Sequence, residues 1–291
     1  MAALEFAANL LRYAAPVSIA ALGESVSQKS GVINIGLEGQ MLLAAFAATL
    51  VGSRTGNPWL ALLAALLVGL VFAMIQGFFT LRLLVDQVVI GTAVNLFALG
   101  LTSTLFRVVF GQSGQLVSLP DLPKVFGPFD LGMVLLLPLA IGITWFLTRT
   151  KPGLALRGAG EYPAAVESAG YSVMGLRAGA IAFGGALAGL AGGYLAIASA
   201  GSFAENMTAG RGFVAIAMVT FGRWKPIWVF GASLLVGAAE LTQFLLQAQA
   251  VGIPHQVFRA MPYVLALAVL VFVGKGTSVP MALGLPYRRE K

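Results

Sequence analysis

The sequence predicts an all-α, polytopic integral membrane protein of about eight to ten transmembrane helices, some of them broken or re-entrant. Three observations carry that expectation. The 291-residue chain is 58% hydrophobic and only 10% charged, against roughly 25% charged residues in soluble domains. Apolar runs of about 20 residues, enough to cross about 30 Å of hydrocarbon, follow one another along nearly its whole length, with a mean hydropathy of +0.90. A polar, glycine-rich stretch, SGVINIGLEGQ at 30–40, interrupts this apolar material, and such a stretch persists in a bilayer only where protein or water covers it.

The expected segments are 5–22, 31–51, 58–82, 87–110, 129–148, 174–200, 211–222, 226–248 and 256–274. They leave no room for a soluble domain, so residues 1–291 are read as one transmembrane domain. The first stretch lacks a basic n-region and an A-x-A-type cleavage site, so no removable signal peptide is expected. The 211–222 run is too short to span upright and reads as re-entrant or paired with the preceding loop. The 31–51 and 87–110 runs are candidates for broken helices.

Lys and Arg set the orientation. The longest polar stretch, 149–177, carries Arg149, Lys151, Arg157 and Arg177. With it in the cytoplasm, Lys29, Arg82, Arg223, Lys225, Lys275, Arg288, Arg289 and Lys291 also fall inside. Arg54, Lys124 and Arg211 fall outside, as does the N-terminus; one re-entrant segment near 31–51 would reverse the terminus. The net charge of +7 is thus accounted for by loops, and nucleic-acid binding is not expected.

Within the polar island, Asn34, Glu38 and Gln40 sit at membrane depth, where a carboxylate costs about 2.5–3.5 kcal/mol on insertion scales. The other acids at such depth are Glu24 and Glu240. Glu240, Gln243 and Gln247 share one helical face, and so do Gln87, Gly91 and Asn95. Each face reads either as interhelical hydrogen bonding or as a lining for the path of an uncharged polar solute, which amides bind without charge. Asn34 and Glu38 are expected to shape a gate more than to bind solute. Arg12, Arg107 and Arg259 read as snorkelling side chains; Trp59, Trp145, Trp224 and Trp228 read as interfacial anchors. Gly185, Gly189 and Gly193 form small-x-x-x-small steps that let helices approach closely.

The polar loop contains RGAGEYPAAVESAGYS. Residues 160–169 suit a short helix with Pro163 in its first turn. Glu161 and Glu167 flank Ala164 and Ala165, a shallow knob that suits docking in a groove of another protein or serves as a solvated connector.

Absences narrow the chemistry. Zero cysteines and one histidine leave no disulfide, thiolate nucleophile or histidine metal cluster. There is no G-x-x-x-x-G-K-[ST], H-E-x-x-H or G-x-S-x-G. An intramembrane enzyme and a pump with its own nucleotide site are both disfavoured, and no metal or cofactor is expected on this chain.

Four ordered stretches carry a resemblance: GESVSQKSGVINIGLEGQMLLAAFAA, DQVVIGTAVNLFALGLTSTLF, LALRGAGEYPAAVESAGYSVMGLRAGAIAFGGALAGLAGG and GRGFVAIAMVTFGRWKPIWVFGASLLVGAAE. The ending MPYVLALAVLVFVGKGTSVPMALGLPYRRE fits as well. Together they resemble the ABC importer permeases for nucleosides and simple sugars, a group that includes ribose-type and branched-chain amino-acid permeases. The resemblance implies an importer permease, with nucleosides favoured over a sugar such as ribose or another small polar solute. A stand-alone channel or secondary facilitator is the alternative from another class. The short chain resembles the smaller of two paired permeases, which implies a heterodimer. The resemblance further implies a cytoplasmic ATPase holding ATP and Mg, an extracytoplasmic lipoprotein or periplasmic binding protein, and a bacterial or archaeal plasma membrane. It makes Gly160, Glu161, Ala164, Ala165, Glu167 and Ser168 the coupling helix, with Glu161 and Glu167 helping to dock the ATPase.

Overall fold

Short polar caps divide the apolar sequence into helices. A computed structural model describes residues 2–111, 117–248, 264 and 279–288. The predicted 256–274 segment apart from residue 264, together with Arg259, Lys275, Arg289 and Lys291, lies outside the described residues. Helix α1 spans Ala2–Lys29 and α2 spans Leu37–Thr55. Asn57 accepts from the Trp59 and Leu60 amides and Pro58 opens α3, Pro58–Leu81. Asp86 caps α4, Gln87–Phe110, through the Val88 and Val89 amides. A small hairpin, β1 (Lys124–Phe126) and β2 (Phe129–Asp130), leads to α5, Leu131–Arg149. Asp130 caps α5 and also accepts from the Tyr194 hydroxyl at 2.8 Å. Side-chain oxygens at these positions satisfy amides that have no partner inside the helix.

The polar loop folds as α6 (Lys151–Glu161) and α7 (Pro163–Ser168). Helix α8, Val173–Tyr194, passes into a π-helical turn at Leu195–Ala200. Then come α9, Arg211–Phe221, and α10, Pro226–Ala248.

The helices alternate in direction about α8. The Ser199 hydroxyl donates to Arg12 O at one end, and Arg177 donates to Ser30 O at the other, so α1 and α8 run antiparallel. Helix α3 also runs against α8, with Ala65 beside Gly189 and Ala73 beside Gly185. Helix α1 therefore ends at the same end as α6 and α7, and the segment 30–55 returns. Described residues after 278 come back to the α6–α7 end, where the Ala282 amide donates to Gly160 O at 2.8 Å and the Gly284 amide to Gly31 O at 3.0 Å.

Among the described residues, six helices are long and apolar enough to cross a membrane: α1, α3, α4, α5, α8 with its π turn, and α10. Two further passages are composite. Residues 30–36 are non-helical and continue into α2, which is buried along most of its length. The loop 201–210 and the 11-residue α9 make the other. The expected 31–51 segment is thus broken, whereas 87–110 is one continuous helix. The first segment extends past 22 to Lys29.

Helices α3, α4 and α5 expose apolar side chains such as Leu67, Val88, Leu96 and Trp145, as faces toward hydrocarbon or another subunit must. At Gly185 and Gly189 an added Cβ would stand 2.0 Å from Ala73 Cβ and 2.3 Å from Ala65 O. These glycines, with Gly193 against Ala65, therefore let α8 and α3 touch backbone to backbone. Arg107, near the end of α4, is exposed and pairs with Glu205 at 3.0 Å.

Candidate functional site

The broken passage leaves backbone amides without helical partners, and buried side chains supply them. Glu24 Oε1 accepts from the Asn34 amide at 3.0 Å and from Gln28 Nε2 at 2.9 Å. Gln87 Oε1 accepts from the Ile33 amide at 2.8 Å. Asn95 Oδ1 accepts from the Gly39 amide at 2.8 Å, while its Nδ2 donates to Ile35 O at 2.9 Å. The Asn34 and Gln40 amides pair, with Asn34 Nδ2 donating at 2.8 Å, and Gln40 Nε2 also reaches Gln76 Oε1 at 3.0 Å. Unpaired backbone groups at this depth would cost several kcal/mol each. The Gln87, Gly91, Asn95 face is thus assembled as the spacing implied, but its task here is bracing. An added Cβ at Gly91 would come within 2.7 Å of the Gly36 amide nitrogen, so the face approaches bare backbone. Of the two readings left open for that face, Gln87 and Asn95 take up the hydrogen-bonding one, while the Asn34 side chain, expected at a gate, pairs with Gln40. Gln28 and Gln76 escaped sequence reasoning, because a lone glutamine in an apolar helix carries no spacing signal.

Glu38, at the start of α2, reaches a different element. Its Oε1 accepts from the Gly210 amide and its Oε2 from the Gly212 amide, both at 2.7 Å. A carboxylate at a helix N-terminus meets free amides and the positive end of the helix dipole. Gly210 sits at φ +87°, and a Cβ at Gly212 would come within 2.6 Å of Glu38 Cα. Glu38 therefore pins the N-terminus of α9 to the broken passage. The other end of α9 is tied as well: Trp224 is buried, and its Nε1 donates to Gln28 Oε1 at 2.7 Å. Trp224 is thus a buried tie, not an interfacial anchor.

At the α6–α7 end, Arg177 is 1% exposed and binds three segments at once. It donates to Ser30 O at 3.1 Å, to Leu285 O at 3.0 Å and to Ala159 O at 3.3 Å. Its guanidinium also lies over the Tyr287 ring, 6.0 Å from the centroid. Arg177 is therefore a structural knot and not a loop charge. Gly160 packs so closely that a Cβ would meet Lys29 O at 2.3 Å. The two acids expected to meet an ATPase turn to the chain's own tail: Glu161 Oε2 accepts from the Met281 amide at 3.2 Å, and Glu167 accepts from the Tyr287 hydroxyl. What α7 leaves outward is Tyr162, Ala164, Ala165 and Ser168.

At the opposite end, a cavity of about 330 Å³ opens between α1, the π turn, the 201–210 loop and α10. Arg211 and Glu240 face each other across its wall at 3.2 Å. Arg211, expected in an outer loop, and Glu240 are both largely buried. Gln243 and Gln247, on the same stripe, are half-buried and do not line the cavity. Two larger depressions of about 510 and 600 Å³ are lined almost wholly by apolar side chains and offer a polar solute little. Among the described residues no group of three or more His, Cys, Asp or Glu is placed to hold a metal.

This arrangement of buried amides, a pinned short helix and a knotted loop is one of bracing. A family model described as the branched-chain amino acid transport system permease component matches residues 6–274. The chain belongs to that permease family. This permease is 34% identical to the guanosine ABC transporter permease protein NupQ of Bacillus subtilis, over 97% of its own length and 95% of the relative's. It is 32% identical to the nucleoside ABC transporter permease protein NupC of Lactococcus lactis, over 98% and 96%. Identity to the putative glucose ABC transporter permease protein TsgC13 of Haloferax volcanii is 29%, with 99% of each chain covered. No solved structure matches. The chain is accordingly a multi-pass membrane subunit of an ABC transport system and not itself an enzyme.

Proposed function

We propose that this permease is one of two membrane subunits of an ATP-driven importer of nucleosides. The observation that carries the reading is the likeness to guanosine and nucleoside permeases along nearly the whole of both chains. A sugar is the second reading, favoured by the putative glucose permease. The polar network adds physical support, since solute transfer needs a passage with two arrangements, and a broken, hydrogen-bonded crossing supplies one.

In this reading the α6–α7 end is cytoplasmic. Lys29, Arg82, Arg149, Lys151, Arg157, Arg223 and Lys225 fall at that end, in accord with the positive-inside bias. A separate ATPase subunit holds ATP and Mg and docks on α7. A second, longer permease completes the path, and a binding protein delivers solute at the opposite end. The membrane is the plasma membrane of a bacterium or archaeon.

The docking surface is the outward face of α7, where Ala164 and Ala165 are exposed and Glu161 and Glu167 are not free. Ala165→Trp is expected to abolish co-purification of the ATPase subunit while membrane insertion persists. Undiminished co-purification would place the dock elsewhere.

The substrate is tested by deleting the gene in its own organism and following uptake of radiolabelled guanosine, uridine and glucose. Loss of nucleoside uptake with glucose uptake intact is expected. The reverse pattern would replace the nucleoside reading with the sugar one.

A further inference from the structure

Resting on that nucleoside reading, we propose that the cavity between α1, the π turn and α10 is a binding station for an uncharged nucleoside on its way through this subunit. Its walls differ in chemistry. Tyr13 and Phe244 stand together, ring centroids 6.0 Å apart and planes tilted by 38°, so each offers its own apolar ring face. Beside them, Arg211 and Glu240, the latter one helical turn before Phe244 on α10, supply donors and an acceptor, yet the pair carries no net charge. An ion pair that neutralises itself repels neither charge sign strongly but holds out dipoles, which suits hydroxyls and base edges. Stacking of a base on an aromatic ring is tolerant of base identity, which matches a path that several nucleosides share.

The cavity also has unused capacity. The Tyr13 hydroxyl makes no hydrogen bond among the described residues, and the Ser202 hydroxyl has only a long one, 3.5 Å to Ala200 O. The volume of about 330 Å³ falls within the range of small-molecule sites. One wall is the π-helical turn at Leu195–Ala200, a local irregularity that recurs at functional sites. Position favours the assignment too, since the cavity lies at the end opposite α6 and α7, where solute would enter. Arg211 opens α9, and Glu38 holds the amides on either side of it, at Gly210 and Gly212. The polar wall is thereby set by the same carboxylate that braces the broken passage. A hexose offers hydroxyls to the polar wall but no flat base to the rings, so the cavity's chemistry favours the nucleoside.

The test uses proteoliposomes holding the complete transporter, with binding protein in excess and ATP inside or outside as import requires. The probe is 8-azidoguanosine, photolysed during turnover, with the labelled peptides mapped by mass spectrometry. Labelling is expected on peptides that contain Tyr13 or Phe244, and excess guanosine should suppress it. Phe244→Ala should lower guanosine uptake roughly tenfold, the scale of losing one base–aromatic stack. Phe244→Trp should restore it, and Leu96→Ala on the exposed face of α4 should leave it unchanged. Co-purification of all subunits shows that each variant assembles. Guanosine-sensitive labelling elsewhere, or wild-type uptake by Phe244→Ala, overturns the station while leaving nucleoside import standing. A wild-type transporter that imports glucose but no nucleoside overturns both.

Discussion

Arg177→Met is expected to uncouple the protein most completely. The substitution removes the donors that Ser30 O, Ala159 O and Leu285 O share. Methionine fills much of the volume and leaves no buried charge, so the loss is that of hydrogen bonds. Ser30 O and Ala159 O are buried, and each left without a donor costs about 1–3 kcal/mol; the bond to Leu285 O is only partly buried, so water can replace part of it. The tail at 279–288, the end of α6 and the start of the broken passage should separate as a group. The expected readings are loss of ATP-driven uptake, faster protease cleavage near the tail, and weaker retention of the ATPase subunit. Arg177→Lys keeps the charge but only a compact ammonium in place of the fork, so an intermediate phenotype is expected. Wild-type uptake by Arg177→Met would mean that the knot plays no part in coupling.

Glu38→Gln is expected to keep assembly and impair transport. The carboxylate accepts from two backbone amides at 2.7 Å, both charge-assisted bonds. Glutamine offers one acceptor and one amino group, so one of the two N–H groups would face another donor. With about 1.5–3 kcal/mol for a hydrogen bond to a charged group, the hold on α9 weakens by a factor of ten or more. Uptake should fall at least tenfold, while the subunits still co-purify. Glu38→Asp, shorter by one methylene, should reach only one amide and behave similarly. Unchanged uptake in Glu38→Gln would make the carboxylate a structural cap alone.

Local chemistry made several parts of this protein legible in its sequence. Asn57, Asp86, Asp130 and Ser172 each cap a helix start, a local signal that the reading of apolar runs did not use. The glycine spacing of α8 announced a close helix contact, though not its partner α3. The stretch 30–40 declared that something must cover it, because that follows from membrane depth alone. What covers it was half visible: the four-residue spacing put Gln87, Gly91 and Asn95 on one face, but whether that face lines a path or braces a backbone depends on tertiary register. The amides it serves lie 54 to 56 residues away.

Long-range pairs stayed out of reach for the same reason. Arg211 read as a loop charge, since nothing local points to Glu240, 29 residues on. Trp224 read as an anchor at a helix end, but it packs in the main hydrophobic core and its indole partner is Gln28, 196 residues earlier. Glu161 and Glu167 read as exposed acids because their partners, Met281 and Tyr287, belong to a tail whose return to α6 no periodicity encodes.

The claim that this chain is half of an ATP-driven path is tested most directly by reconstituted uptake. Radiolabelled guanosine is offered to proteoliposomes that hold either the permease alone or the complete transporter, with and without ATP. Accumulation only in the complete transporter, and only with hydrolysable ATP, is the predicted result. Guanosine uptake by the permease alone, independent of ATP, would contradict the account and make the chain a facilitator.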